Sequence, residues 1–197
     1  MLLNQQATES SSYVNYNDGR DNFSKRLPEG KTGETLIAQF LRSRGAHVLP
    51  VYEIAENQFK GPCLYSANGA TVIAPDMLVF SDKGIIFVEA KHKEAFTWYR
   101  IKQQFETGID KHHYEEYLVL QDTLHIPVWL LFLHRGGMAK DSPESPSGLF
   151  GNSLDYLSKP EHISHTSDNW GKHGMIYWGI DDLKKLSDYP LNIEYSS

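Results

Sequence analysis

In residues 32–45 the apolar positions Leu36, Ile37, Phe40 and Leu41 recur at helical spacing. Thr32 stands as N-cap and Gly45 as the stop, so the pattern predicts a helix. "HVLPVYE" then reads as a strand with Pro50 near an edge or bulge, and 54–70, with Gly61, Pro62 and "SANGA", reads as a loop. Two apolar runs, "PDMLVF" and "IIFVEAK", flank "SDKG" and predict a β-hairpin. The following "EAFTWYRIKQQFETGIDKHHYEEYLVLQDTL" is helical in composition, with a break expected near Gly108. "IPVWLLFLHRG" is continuously apolar and predicts a central strand. A turn-rich loop is expected over "GGMAKDSPESPSG", and 151–173 shows no readable period. "GMIYWGIDDLKKL" predicts a strand leading into a short helix capped by Asp181. Residues 1–28 are polar and aperiodic, which predicts an arm that is flexible or ordered by a partner. The order of elements predicts an α/β layer architecture around a mixed sheet, with 29–197 as one domain and a loop-rich insertion around 137–173.

The hairpin departs from plain core. Ile85, Phe87, Glu89 and Lys91 share one face of its second strand, and Ile86, Val88 and Ala90 the other. Both rows are apolar until the acid, which predicts a strand covered on both faces. A two-residue turn at Asp82-Lys83, or a four-residue loop at 81–84, sets Ser81 against Gly84 and Phe80 against Ile85. The same register brings Asp76 directly opposite Glu89, with Cβ atoms roughly 5 Å apart. Carboxylates held that close repel unless one is protonated or a cation lies between them. Oxygen donors of this kind suit a hard divalent ion such as Mg²⁺ or Mn²⁺. Lys91 points into the same space. The structural alternative is that Asp76 caps a turn after Pro75 and Glu89 pairs with Lys91. The convergence of three ionisable groups on an apolar face favours the metal reading, because unpaired buried charge is destabilising.

Composition narrows the function classes. The 197 residues are 40% hydrophobic and 12% aromatic, enough for a core without covalent staples. Cys63 is the only cysteine, which excludes an internal disulfide and a cysteine zinc site and predicts a reducing, cytoplasmic setting. The N-terminus has neither a basic n-region nor a long apolar h-region, so no signal peptide is expected, and no apolar run reaches membrane-spanning length. A net charge of −6 argues against a protein that coats nucleic acid by bulk charge, but leaves room for a local basic cleft.

With Pro75-Asp76, twelve intervening residues and Glu89-Ala90-Lys91 on two adjacent strands after an N-terminal helix, the chain resembles the PD-(D/E)XK nuclease superfamily. The resemblance covers roughly residues 30–136. It implies a restriction endonuclease-like three-layer core, a central mixed β-sheet flanked by helices. It implies an endonuclease-type hydrolase acting on phosphodiesters, DNA more than RNA, with Mg²⁺ as cofactor and Mn²⁺ able to substitute. Asp76 and Glu89 would hold the ion with the Ala90 backbone carbonyl, and Lys91 would orient or activate the attacking water. Glu34 matches the acid that the superfamily carries on its first helix; it also sits where a carboxylate would complement a helix dipole. A catalytically inactive module of the same fold, binding DNA or a protein, is the alternative. A homodimer and delivery of substrate by a partner protein both remain open, and no membrane partner is implied.

Some families of this type place a Gln and a Tyr on the helix after the acids, which makes Gln103, Gln104, Lys111, His113 and Tyr114 candidate substrate contacts, with Lys93 beside them. From Ala90 to His113 five basic residues stand against three acids, a local excess suited to phosphates. An amphipathic helix with Tyr114, Tyr117 and Leu118 packed inward would give the same composition. "EGKTGE" is not a phosphate-binding loop, since Lys25 occupies the position of the first glycine and no apolar strand precedes it. His162, His165 and His173 lack ligand spacing and are not read as a metal site, and Trp170 and Trp178 are read as packing residues.

Overall fold

A computed structural model describes residues 32–51, 62–67, 69, 71–138, 142–168 and 174–194. The N-terminal arm, His173 and Trp170 lie outside the described residues. Helix α1 (32–43) leads into strand β1 (His47–Pro50), which is followed by the short hairpin β2 (Cys63–Tyr65) and β3 (Thr71–Ile73). The acid-bearing hairpin is β4 (Met77–Ser81) and β5 (Gly84–Lys93). Then come β6 (Thr97–Tyr99), β7 (Gln104–Asp110), α2 (Lys111–Leu124) and β8 (Val128–His134). The chain closes with β9 (Gly148–Ser153), the single turn α3 (Leu154–Leu157), β10 (Ile163–Ser167), β11 (Met175–Gly179) and β12 (Lys184–Ser187).

Six strands form a mixed sheet in the order β1-β4-β5-β8-β9-β12. Only β5 and β8 run parallel, and α2 lies on the crossover between them, as a parallel connection requires. The fold is therefore α/β with a central mixed sheet. β8 is central, as its unbroken apolar run predicts. The outer strands are β1, which ends on Pro50, and β12, which carries Lys184 and Lys185.

Alternation along the inner strands sends side chains into two cores. On one face Val88, Ala90, Leu131, Leu133 and Leu149 meet Ile37 and Phe40 of α1. On the other, Phe87, Val128, Leu130, Phe132 and Phe150 meet Tyr117 and Leu120 of α2 together with Ile109, Ile176 and Trp178. The last three belong to a second, four-stranded sheet, β10-β11-β7-β6, so helix and sheet share the covering of that face. Trp178 is fully buried there, as a packing residue should be.

Three expectations are corrected. The segment after β5 does not begin as a helix: 97–99 and 104–110 pair antiparallel, and helix starts only at Lys111. The reason is tertiary, since β7 is held between β6 and β11 with Glu106 to Ile109 all buried. "IDDLKKL" forms one 3₁₀ turn at Ile180–Asp182 and then β12, because pairing with β9 outweighs the helical composition. Residues 63–65, read as loop, pair with β3.

Close packing sets the position of α1. A Cβ on Gly33 would stand 2.2 Å from Cβ of His92 on β5, so only glycine lets the helix start approach the strand. We expect Gly33→Ala to push the first turn away and to destabilise the fold by about 1–3 kcal/mol, read as a lower unfolding midpoint.

Candidate active site

The hairpin register is the one the sequence predicts. Ser81 pairs with Gly84, Phe80 with Ile85 and Met77 with Val88, which leaves Asp76 one step outward, facing Glu89. The two-residue turn needs Gly84 at φ 117°, a conformation glycine alone adopts readily. Asp76 is fixed at its backbone, where its carbonyl accepts from Val51 N–H at 2.9 Å. Its carboxyl Oδ2 accepts from Ala90 N–H at 2.8 Å. In an extended strand the N–H and C=O of one residue project to the same side, so the Ala90 carbonyl shares that edge of β5.

Glu89 is 2% exposed and points toward α2. Lys91 Nζ pairs with its Oε1, and the Tyr117 hydroxyl donates to the same side chain. Burial first, and then the negative charge of Glu89, push Asp76 up to about 8; Lys91 and the Ala90 N–H oppose this, and Glu34 adds to it. In the metal-free protein Asp76 is therefore mostly protonated at neutral pH. Burial alone would lower Lys91, but Glu89 and Asp76 outweigh it and hold the ammonium above its ordinary range. Lys91 is a fixed positive charge in this state rather than a base.

Glu34 projects from α1 close enough for its charge to act on Asp76. Even so, no group of three or more His, Cys, Asp or Glu side chains among the described residues is arranged to hold a metal. The donor set is two carboxylates and a carbonyl edge. Oxygen donors of that kind are the type a hard cation takes, and Asp76 is raised first by burial and then by the charge of Glu89.

The outer candidates separate. His113 reaches the site: its ring lies one turn from Tyr117 on α2, with centroids 5.9 Å apart. Burial and then Lys91 lower its pKa, and its Nδ1 is buried with no hydrogen-bond partner among the described residues. Lys93 shares the face of Lys91 but donates to Gly108 carbonyl at 2.6 Å and lies over the Phe132 ring, which ties β5 to β7. Burial and then Lys91 push it down to about 8. Lys111 stands 3.6 Å from Asp168 at the start of α2. Tyr114 packs toward Trp178, with ring centroids 6.1 Å apart.

Gln103 and Gln104 do not sit on the helix after the acids, because that stretch is a hairpin. Gln103 is exposed at its turn and bonds Arg100 carbonyl, while Gln104 bonds Glu106 Oε1 at 2.8 Å and Ser164 Oγ at 2.7 Å. These bonds, the Ser164 hydroxyl and His165 Nδ1 at 3.0 Å surround the fully buried Glu106 carboxylate. His162 instead faces Asp182 at 2.7 Å.

Two residues of the site were missed by sequence reasoning. Helical periodicity reads Tyr117 as packing alone, although a buried tyrosine hydroxyl calls for a partner. Asp110, at the N-cap position of α2, adds its charge to the field around Lys91 and Lys93. The i, i+4 spacing of His113 and Tyr117 was the available signal.

No protein-family model matches the chain, and no curated protein matches it. Among solved structures the chain is similar to Hjc of Archaeoglobus fulgidus, a Holliday junction resolvase from an archaeal hyperthermophile. The two share 7% identity with a TM-score of 0.43 over 75% of this chain and 86% of that one. Among the described residues no helix is long and apolar enough to cross a membrane.

Proposed function

We propose that the protein is a metal-dependent nuclease that hydrolyses phosphodiester bonds in DNA. The observation that carries this reading is the pairing of Asp76 and Glu89 across the end of an apolar hairpin, with Lys91 beside them. Asp76, raised first by burial and then by the charge of Glu89, is an acid under load at the rim of a core, which supports a functional role. Asp76, Glu89 and the Ala90 carbonyl are the groups that would hold Mg²⁺ or Mn²⁺, with Glu34 supplying further negative charge. Such an ion lowers the pKa of bound water and neutralises charge that builds on the phosphate. Lys91, kept cationic chiefly by Glu89, orients the attacking water and stabilises the developing oxyanion. Burial of Glu89 under α2 keeps bulk water from screening its carboxylate.

The Tyr117 hydroxyl fixes the Glu89 carboxylate from behind, and groups that orient a metal ligand are worth about 10–100-fold in affinity or activity. We expect Tyr117→Phe to leave a folded protein whose cleavage needs about tenfold more Mg²⁺ to reach half of its maximal rate. A Mg²⁺ titration checks this.

The function itself is tested by incubating the full chain with single-stranded, duplex and branched DNA and with RNA, in Mg²⁺, in Mn²⁺ and in EDTA. Cleavage that requires the metal supports the reading. Tight metal-independent binding without cleavage would instead identify a module that keeps the architecture and has lost the chemistry.

A further inference from the structure

The β6–β7 turn carries Arg100, Ile101, Lys102 and Gln103, and Ile101 is 82% exposed, more than any other large apolar residue described. A single exposed isoleucine is ordinary on a protein surface. Here it stands at the tip of a hairpin, between two basic residues, in a chain of net charge −6. The tip is also braced. Gln103 Nε2 donates to Arg100 carbonyl at 2.5 Å across the turn, with Gln103 in the left-handed region at φ 53°. Lys102 Nζ donates to Ser164 carbonyl at 2.7 Å and to its Oγ at 3.2 Å. Both acceptors are neutral, so the ammonium charge is anchored without being cancelled. Glu106, the acid nearest in sequence, is buried beneath the hairpin within its own hydrogen bonds.

The hairpin is tied to the acid pair. β6 pairs with β7 from Thr97↔Glu106 to Tyr99↔Gln104, and β7 is held to β5 by the Lys93–Gly108 bond, two residues beyond Lys91. From Gly108 back to Gln104 β7 runs four residues, about 13 Å at about 3.3 Å each, before the turn that carries Ile101.

We propose that the β6–β7 turn is a wedge for duplex DNA at an opened base step, with Ile101 filling the gap and Arg100 and Lys102 against the flanking phosphates. This rests on the nuclease reading above. An apolar side chain flanked by cations is the chemistry that unstacks a base step and holds the kink. Unstacking is easiest where pairing is already interrupted, so the turn selects branched or mismatched DNA over continuous duplex. A rigid tip suits this task, because ordering it on binding loses little entropy.

The test uses the full chain in EDTA with a three-way DNA junction that carries 2-aminopurine at the branch, and a continuous duplex of the same sequence. For the unaltered protein we expect a rise in fluorescence and tighter binding to the junction. In Ile101→Ala the fluorescence rise should disappear and the junction-to-duplex affinity ratio should fall about tenfold, the loss of one buried aliphatic contact. Ile101→Leu should restore both. Joint replacement of Arg100 and Lys102 by alanine should lower the slope of log affinity against log salt by about two. Circular dichroism of each variant separates these effects from misfolding. If Ile101→Ala matches the unaltered protein in fluorescence and in affinity ratio while the protein still cleaves DNA with Mg²⁺, the wedge is overturned and the nuclease reading stands. If the unaltered protein neither binds nor cleaves either DNA, both fall.

Discussion

Glu89→Gln is expected to abolish metal-dependent cleavage, with a loss of about 10³-fold or more. The substitution keeps the size of the side chain and an oxygen to accept the Tyr117 hydroxyl, so the fold should survive. What disappears is one of the two charges that attract the ion. Lys91→Met should also lower cleavage, by about 10²–10³-fold, but through a different defect. Lys91 competes with a cation for the Glu89 carboxylate, so its removal should leave metal binding intact or tighter. Calorimetric titration with Mn²⁺ beside a cleavage assay distinguishes the two: Glu89→Gln loses both signals, and Lys91→Met loses only the second. Cleavage that survives Glu89→Gln would place the chemistry elsewhere.

The second large effect is on stability. Asp76 sits near 8 in the folded chain against an ordinary value of 3.8. Its folded pKa is raised, so between these values the folded state holds a proton that the unfolded state has released. The contribution is complete below about pH 4 and is lost as pH rises toward 8. The metal-free protein should therefore unfold more easily at pH 8.5 than at pH 5. Asp76→Asn, which mimics the protonated acid at every pH, should remove this part of the loss. The full shift corresponds to an upper bound of about 6 kcal/mol. A third of that would move the midpoint by about 5 °C in a chain of this size. Mg²⁺ or Mn²⁺ should raise the midpoint of the unaltered protein and release close to one proton per ion at pH 7, measurable by calorimetry in buffers of different ionisation enthalpy. Equal midpoints for Asp76→Asn and the unaltered protein at pH 8.5 would show that the acid is not under this load.

The hairpin was legible because period-2 alternation, a short turn and one misplaced acid per strand fix a register without knowledge of the rest. Glu89 and Lys91 follow from that register, and α1 follows from Leu36, Ile37, Phe40 and Leu41. Strands β6 and β7 were not legible for a physical reason. Phe105, Thr107 and Ile109 do alternate, but Gln104, Glu106 and Gly108 between them are partly or fully buried as well. A buried glutamate that meets Ser164 and His165 reads as surface when those two lie about sixty residues away. Thr97, Trp98 and Tyr99 have strand propensity that the surrounding helical composition masked. Tyr117 was seen as a core residue, and it is one; its second role depends on where a strand places Glu89, which helix periodicity does not reveal.

The ends of the six-stranded sheet bear on how the protein behaves at high concentration. Pro50 denies an incoming backbone a donor at one margin, and Lys184 and Lys185, the latter paired with Asp188, line the other with charge. Among the described residues, both margins therefore carry features that disfavour strand addition.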